Sequence, residues 1–512
     1  MKQIDWKKHP LRVYAGVLLL GLAVVYAAWC VLRPVSGELE RICQLLRCLS
    51  RCLLLACGGV LLLRPRMKAE NRFLLLGAAL GICYMLMILP HTVPDEASHY
   101  QWTLCVAADV FTGSRTVDSS LLSAEGLTNN VNTTETLLAM VRGLGTEKLS
   151  GVMESFSPEM ESCYSVQYIP QMLGVGLGLL LKLNRWWLYL LGNFTNLLCY
   201  LFITWLAVRT IPKGKNALTL IALLPMALQQ ASSFSPDGYI NSMSFLLIAL
   251  ILRAAEGNER LSGKEYAALT VVALLLAPAK GIYTLLLLLL FTVPAQRFGG
   301  RAKRLMYIGG AFLASVVLLL IFEGPWANSL EAQGEAVGGY YTLSWCLTHP
   351  VQTVRLVFYS ILHPDSGVYG SKNLLWWLES GTGIMLNSFT LLMPVSAIYP
   401  MLFVILMSAM IVPQCAEHEL ITPWQRSLGW LTALLVVCAA FGIMMIAWTP
   451  MGGSLIEGVQ GRYFLPVFPL IFLGFRGKTF TSRRDMSQVW LGCFLMLHYL
   501  CFEEIVNTFL AL

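Results

Sequence analysis

The sequence has little charge for its length. Only 13% of its 512 residues are Asp, Glu, Lys or Arg, whereas 56% are hydrophobic. A soluble globular chain carries about 25% charged residues, so this chain could not cover its own surface with polar groups. The composition therefore excludes a soluble enzyme, a disordered protein and a nucleic-acid-binding protein. The net charge of +7 must be interpreted by position, because basic residues in a membrane protein report its orientation first.

The cysteines lack the spacings of a metal or redox site. The 14 Cys residues include no CxxC pair and no Cys/His pattern typical of zinc. Cys43, Cys48, Cys52 and Cys57 lie in one apolar stretch, where Cys behaves as a small hydrophobic residue. We therefore expect neither a disulfide framework nor a structural zinc ion.

Long apolar runs dominate the sequence. A spanning helix needs about 20 mostly apolar residues, and the run 264–295 is long enough for two short helices broken at Pro278-Ala279-Lys280-Gly281. These runs predict an all-α polytopic membrane protein with about 13 transmembrane helices. The predicted spans are 11–32, 43–63, 72–90, 186–208, 216–234, 238–255, the two halves of 264–295, 304–323, 388–412, 427–449, 461–476 and 486–508.

The segment 166–183 decides the orientation. It is apolar but contains Pro170 and three glycines. If the segment does not span, the later loops on the cytoplasmic side hold fifteen Lys and Arg residues and those outside hold four. If it spans, these two numbers are exchanged. Cytoplasmic loops carry the excess of Lys and Arg in membrane proteins, which favours the first case. We therefore predict that it lies in or dips into the outer leaflet of the cytoplasmic membrane, with the N-terminus inside. The arginines of the predicted 33–51 loop are the exception, because they fall outside.

This orientation leaves two large segments outside, 91–185 and 324–387. The second contains an aromatic, amphipathic stretch over 340–363 and the run Leu374-Leu375-Trp376-Trp377, which suit helices lying in the membrane interface. We divide the chain into two extra N-terminal spans (1–71) and a main membrane module (72–512).

The first chemical cluster is the stretch from His91 to His99. Pro94 suits the first position of a helix, and a carboxylate is favourable in a first turn, where we place Asp95 and Glu96. His99 then shares their face. The three side chains predict a general base with orienting partners or part of a divalent-metal site. The alternative is an ordinary acidic helix start with a surface histidine.

Three further clusters fall at the same predicted outer face. Asp237 lies in Ser-Pro-Asp-Gly, for which simple turn chemistry is the alternative. Lys280 lies in the broken helix, where it needs an anion unless it reaches the lipid head groups. Arg462 opens a span beside glycines and suits bidentate phosphate recognition, or else lies at the interface beside an aromatic residue.

These residues also carry a resemblance to a known family, over about residues 72 to 510. The chain resembles the bacterial membrane-protein family DUF2142, which is similar to the GT-C superfamily of integral-membrane glycosyltransferases. The motifs that carry the resemblance are Pro94-Asp95-Glu96-x-x-His99, Ser235-Pro236-Asp237, Ala279-Lys280-x-x-Tyr283 and Gly458-Val-Gln-Gly-Arg462-Tyr463.

The resemblance implies a GT-C-like bundle with juxtamembrane helices at the outer face. It implies a catalytic aspartate in the first outer loop, which maps onto Asp95, a later acid, which Asp237 could be, and an amphipathic segment, which 166–183 fits. The donor it implies is a sugar on a polyprenyl phosphate, and the acceptor is a cell-envelope glycan or another lipid-linked molecule. The two extra spans before residue 72 depart from the family pattern.

We therefore hypothesise an extracytoplasmic, inverting glycosyltransferase with Asp95 as general base. In this hypothesis Glu96 and His99 orient Asp95. Alternatively, a divalent metal ion is held by Asp95, Glu96 and Asp237. Phosphate and substrate are held by Asp237, Lys280, Arg462, Tyr283 and Tyr463. Two alternatives stay open: a transporter or flippase of a lipid-linked sugar, and a non-catalytic scaffold for envelope assembly.

Overall fold

The structure is a computed structural model that describes residues 10–122, 133–156, 166–336, 339–364, 374–413 and 420–511. Parts of both predicted outer segments, including 123–132, 157–165 and 365–373, lie outside this description. In chain order the helices are α1 (Pro10–Leu32), α2 (Glu38–Leu63), α3 (Ala69–Met87), α4 (Glu96–Thr112), α5 (Ser119–Leu122), α6 (Thr134–Thr146), α7 (Ile169–Leu180), α8 (Arg185–Thr210), α9 (Lys215–Ala222), α10 (Pro225–Ala231), α11 (Asp237–Glu256), α12 (Gly263–Leu276), α13 (Arg301–Ala336), α14 (Leu343–Thr348), α15 (Pro350–Leu362), α16 (Trp376–Thr382), α17 (Val395–Met410), α18 (Pro423–Ala447), α19 (Phe468–Leu473) and α20 (Ser487–Ala511).

Short strands and 3₁₀ helices complete the described chain. Each of the three small sheets has two strands: β1 pairs with β2 and β3 with β4 antiparallel, and β5 pairs with β6 in parallel. The strands are β1 (Thr116–Asp118), β2 (Met153–Ser155), β3 (Met385–Leu386), β4 (Leu391–Leu392), β5 (Val412–Pro413) and β6 (Thr481–Ser482), and the 3₁₀ helices are Val166–Tyr168, Gly281–Thr292, Ala295–Phe298 and Gly461–Val467.

The predicted all-α membrane character is confirmed. Within the described residues, eight helices are long and apolar enough to cross a membrane: α1, α2, α3, α8, α11, α13, α18 and α20. The other five of the thirteen predicted spans correspond to shorter or broken helices, so the count of thirteen stays a prediction.

One predicted span is wrong as a single helix. The segment 216–234 forms two short helices, α9 and α10, separated at Leu223 and Leu224. Pro225 begins α10, and a proline disfavours helical geometry in the residue before it. Every residue of α10 is buried, including Gln229 and Gln230.

The predicted break within 264–295 is present. Helix α12 ends at Leu276, and a 3₁₀ helix begins at Gly281. Between them Lys280 has an extended backbone, with φ −168° and ψ 101°. Another 3₁₀ helix begins at Gly461. Both candidate basic residues, Lys280 and Arg462, therefore lie where regular α-helix is interrupted.

Helix α11 forms the centre of the bundle. In its apolar stretch 83% of the residues are buried, against 17% in that of α1. It packs against α8, which also packs against α3 and α7. Because α11 begins at Asp237, this packing places that carboxylate where several helices meet.

The N-terminal helices form a pair attached through α2. Helix α1 packs on α2, which also contacts α3 and α20. The predicted 33–51 loop is wrong, because α2 already begins at Glu38, where a carboxylate favours a helix start. Arg47 and Arg51 therefore lie on a helix, with nitrogens 3.5 Å and 2.8 Å from the Glu503 carboxylate of α20. The assignment of residues 1–71 as an addition to the main module stays a prediction.

The predicted interfacial stretch forms the short helices α14 and α15. One set of their apolar side chains is exposed, including Leu347, Val351 and Val354. Leu374 and Leu375 are exposed as well, but Trp376 is buried at the start of α16. The run 374–377 is thus exposed at its two leucines and buried at Trp376, so it does not lie wholly on the surface.

Candidate active site

Asp95 lies immediately before α4 with a left-handed backbone, φ 62° and ψ 9°. This conformation costs a non-glycine residue of order 1–3 kcal/mol. The carboxylate makes no capping hydrogen bond to α4 in the described structure, and the side chain is 68% exposed. Helix α4 begins at Glu96 rather than at the predicted Pro94, so Asp95 lies just before the first turn while Glu96 lies within it, as predicted. Asp95 does not act as an ordinary helix cap.

Glu96 joins two turns of the backbone. Its Oε1 accepts a hydrogen bond from the Phe234 N–H at 3.1 Å, and its Oε2 accepts one from the Val93 N–H at 3.2 Å. The residue is 2% exposed. Burial raises the pKa of Glu96 to about 7, although the backbone N–H donors oppose this shift. Glu96 thus links the turn before α4 to the turn before α11, while its role in orienting Asp95 stays a prediction.

His99 lies one turn into α4. Its Nδ1 shares a hydrogen bond of 2.8 Å with the Tyr168 hydroxyl, and its backbone N–H donates to the Asp95 carbonyl at 3.1 Å. Burial lowers the pKa of His99 to about 4; the negative charge of Asp95 and, less strongly, of Asp237 opposes this shift, and the positive charges of Arg462 and Lys280 add to it. The ring is therefore neutral at pH 7.

Asp237 forms ion pairs with two basic side chains, Lys280 and Arg462. The Lys280 Nζ lies 3.4 Å from Oδ1, and the Arg462 Nε lies 3.5 Å from Oδ2. The Asp237 side chain is 8% exposed. The next residue is Gly238, where a Cβ would lie 2.9 Å from the Ala231 Cα, so glycine permits α10 and α11 to approach. These tertiary ion pairs go beyond turn chemistry.

Arg462 connects Asp237 to Asp95. Its Nη2 lies 3.6 Å from the Asp95 Oδ2. All three ion-pair distances exceed the 2.7–2.9 Å of a direct charge-assisted hydrogen bond. The backbone at Gly461 is packed so closely that a Cβ there would lie 2.0 Å from the Ser380 Oγ. This packing fixes the chain just before Arg462.

Two tyrosines complete the cluster. The Lys280 Nζ lies 3.8 Å from the centre of the Tyr463 ring, a cation–π contact. The Tyr283 hydroxyl donates to the Tyr463 carbonyl at 2.8 Å. The structure therefore brings together Asp95, Asp237, Lys280, Arg462, Tyr283 and Tyr463, while their roles stay predictions.

The sequence did not single out three polar residues that support this site. Asn196 donates to the carbonyls of Ser233 and Ser235 at 2.8 and 3.3 Å, and Gln171 donates to the Ser235 carbonyl at 3.3 Å. Tyr168 binds His99. Each is a polar side chain in a predominantly apolar segment, and such residues are functional candidates in membrane proteins.

The cavity beside Arg462 is small. It holds about 10 Å³ and is lined by residues including Pro94, Gln230, Asn387 and Gln460. This volume corresponds to about one water molecule. A larger substrate would therefore meet the cluster from the exposed side, where Asp95 lies.

Comparison with known proteins adds a family to this geometry. The family model for DUF2142, described as a predicted membrane protein, matches residues 76–471. The chain belongs to the DUF2142 family. No curated protein and no solved structure matches the chain. In this DUF2142 protein the matched span contains every residue of the candidate site, and α1 and α2 precede it.

The arrangement does not favour a metal ion in the DUF2142 site. The described residues contain no group of three His, Cys, Asp or Glu side chains placed to hold a metal. Of the three acids that the sequence suggested, Glu96 binds backbone N–H groups, and Asp95 and Asp237 both face Arg462. A metal cation here would compete with the Arg462 guanidinium for both aspartates.

Proposed function

We propose that this DUF2142 protein is an integral-membrane glycosyltransferase that moves a sugar from a polyprenyl-phosphate donor to a cell-envelope glycan or a lipid-linked acceptor. The observation that carries the proposal is Arg462, which lies between the exposed Asp95 and the buried Asp237. A candidate base and a candidate phosphate-binding cation are thereby adjacent.

The exposure of the two aspartates supports different roles for them. A general base must reach the acceptor proton, and Asp95 is the exposed member of the pair. Asp237 is buried between two cations, so its role is to hold Lys280 and Arg462 in place. Fixed charges of this kind stabilise charge that develops during a reaction.

The proposed step is a single displacement. The acceptor hydroxyl oxygen attacks the anomeric carbon, and the bond from that carbon to the phosphate oxygen breaks. The acceptor proton passes to the Asp95 carboxylate, and the electron pair of the broken bond goes to the departing phosphate. Attack opposite the leaving group inverts the anomeric configuration.

The charge of the cluster limits how the phosphate would bind. Asp95 and Asp237 balance Lys280 and Arg462, so the four side chains are neutral together. Arginine has five N–H donors and lysine three. Arg462 and Lys280 therefore have donors for a phosphate in addition to those that face Asp237. The phosphate would therefore share both cations with Asp237 rather than occupy a strongly positive pocket.

The distribution of basic residues supports an outward-facing site. Lys215, Arg476 and Arg484 lie at the end of the bundle where α3 begins, and the candidate site follows the end of α3. By the positive-inside rule the basic end is cytoplasmic. Such a site would have no access to cytoplasmic nucleotide sugars, which fits a lipid-linked donor.

The test uses the purified protein in lipid with a panel of polyprenyl-phosphate sugars. Mass spectrometry would follow the release of free polyprenyl phosphate. The Asp95→Asn variant should lose release, whereas Asp109→Asn, which changes an acid further along α4, should retain it. Equal release by the wild type and Asp95→Asn would contradict the assignment of the base.

A flippase for a lipid-linked sugar is the second candidate. Buried ionisable residues such as Asp237 and Arg462 also mark substrate pathways in transporters. A flippase would move a labelled lipid-linked sugar across proteoliposomes without forming a new glycosidic bond. Transport without polyprenyl-phosphate release would favour it over the transferase.

A further inference from the structure

A second cavity lies at the opposite end of α3 from the candidate active site. It holds about 340 Å³ and lies where α3, α9 and α20 begin. Ligand pockets in proteins measure roughly 300–1,000 Å³. Because α3 has 19 residues, the two ends are about 28 Å apart. The cavity is thus separate from the cluster around Arg462.

The charged side chains of the cavity are mostly basic. Arg72, Lys215, Arg476 and Arg484 line it, with Asp485 as the acid. Four positive charges against one negative charge leave +3. Asp485 is also engaged: one carboxylate oxygen accepts the Ser487 N–H at 2.9 Å, and the other lies 3.9 Å from Arg72. The cavity therefore has a surplus of positive charge.

Two of these arginines are fixed in the wall. The Arg72 side chain is 7% exposed and donates to the Pro65 carbonyl at 2.7 Å and to the Ser487 hydroxyl. Its Nε is buried and has no hydrogen-bond partner among the described residues. Arg476 is also buried and donates to the Ala409 carbonyl at 2.9 Å. A buried donor without a partner is costly, so the Arg72 guanidinium keeps unused hydrogen-bonding capacity in the cavity wall.

Two helices also present their N-termini to the cavity. Ala69 begins α3 and Lys215 begins α9, and both residues line it. Neither helix has a side-chain cap in the described structure. Uncapped N-termini leave backbone N–H groups without partners and carry partial positive charge. Such termini bind phosphate groups and other anions.

We propose that this cavity binds a phosphate group. The group would accept hydrogen bonds from the buried guanidinium of Arg72 and from the helix N-termini, and Lys215 and Arg484 would close over it. Arg484 is exposed, so the cavity is accessible from outside the protein. The phosphate would belong either to an anionic lipid head group or to a soluble phosphate compound.

The experiment measures binding rather than transferase activity. The purified full-length protein in detergent would be titrated with phosphatidylglycerol, with phosphatidylcholine, and separately with inorganic phosphate and pyrophosphate at constant ionic strength. Thermal unfolding would report stabilisation, and native mass spectrometry would report bound lipid. We expect saturable stabilisation by phosphatidylglycerol or by the soluble phosphates, and none by phosphatidylcholine.

Two variants make the test specific. The double substitution Lys215→Gln with Arg484→Gln changes the cavity's rim and leaves the buried arginines, so the protein should still fold. It should bind at least about tenfold more weakly, as expected for the loss of charged hydrogen-bond donors. The matched control is Arg483→Gln, which removes the adjacent exposed arginine that does not line the cavity.

Each outcome decides the proposal. Stabilisation by phosphatidylglycerol alone identifies a lipid head group, and stabilisation by inorganic phosphate or pyrophosphate identifies a soluble ligand. Either result, weakened in the double variant and retained in Arg483→Gln, supports the cavity. No stabilisation by any phosphate compound, undiminished binding by the double variant, or equal weakening in Arg483→Gln would overturn it.

Discussion

The buried guanidinium of Arg462 lies 3.6 Å from the exposed carboxylate of Asp95, with side-chain exposures of 6% and 68%. The contact joins the residue immediately before α4 to a 3₁₀ helix near the C-terminal end of the family match. It places a reachable acid beside a cation held in the protein interior. The proposed chemistry depends on this pair.

Removing the negative charge of Asp95 should stop the reaction and leave the fold intact. A general base typically contributes about 10²–10⁴-fold to the rate, so we expect Asp95→Asn to lower turnover by at least about 100-fold. Because the side chain is exposed, its thermal unfolding should match that of the wild type. The control Asp109→Asn should retain turnover, and a small loss in Asp95→Asn would exclude a general base at this position.

Asp237 should contribute mainly to stability and to the positions of the cations. The change Asp237→Ala leaves Lys280 and Arg462 without their buried partner. Breaking a buried ion pair costs roughly 3–5 kcal/mol, which denaturant unfolding in mild detergent would measure. The double variant Asp237→Asn with Lys280→Met removes one charge of each sign, so it should be less destabilised than Asp237→Ala. Equal stability of all three proteins would contradict the ion-pair network.

Glu96 should make stability depend on pH. Its carboxyl pKa is raised from 4.5 to about 7 in the folded protein, so folding favours the protonated form. Stability should therefore fall as the pH rises from about 4.5 through about 7, by about 3 kcal/mol at most. In Glu96→Gln this part of the pH dependence should disappear, as thermal unfolding between pH 5 and pH 8 would show.

The control for this measurement is Glu135→Gln, which changes an exposed acid of α6. It should follow the pH dependence of the wild type. A wild-type stability that does not change from pH 5 to pH 8 would show that Glu96 keeps its ordinary pKa.

Gly461 should tolerate no side chain. A Cβ at this position would lie 2.0 Å from the Ser380 Oγ and 2.6 Å from the Gly381 nitrogen. Because one of these atoms is backbone, we expect Gly461→Ala to cost about 1–3 kcal/mol and to displace Arg462, lowering donor use. In Gly442→Ala, within α18, the added Cβ meets no atom within 4 Å. Thermal unfolding that is equal in the two variants would contradict the close packing.

The long apolar helices could be predicted because their signal is local. The predicted spans 186–208 and 238–255 correspond to Arg185–Thr210 and Asp237–Glu256. The break before Pro225 and the early start of α2 at Glu38 were missed, since apolar content alone marks neither a proline break nor a helix that begins among charged residues.

The site was only partly predictable for a different reason. Motif residues such as Asp95 and Arg462 could be selected because ionisable groups are costly near a membrane. The bond from the Phe234 N–H to Glu96 and the Tyr168 contact with His99 depend on how distant segments pack. The left-handed backbone of Asp95 likewise follows from tertiary structure, because a non-glycine residue rarely adopts it alone.

The most direct test of the account is polyprenyl-phosphate release by the wild type and Asp95→Asn, side by side in lipid. We predict that at least one polyprenyl-phosphate sugar releases free polyprenyl phosphate with the wild type and that Asp95→Asn releases almost none. No release from any donor in the panel by the folded, lipid-binding wild type, or equal release by both proteins, would contradict a glycosyltransferase with Asp95 as its base.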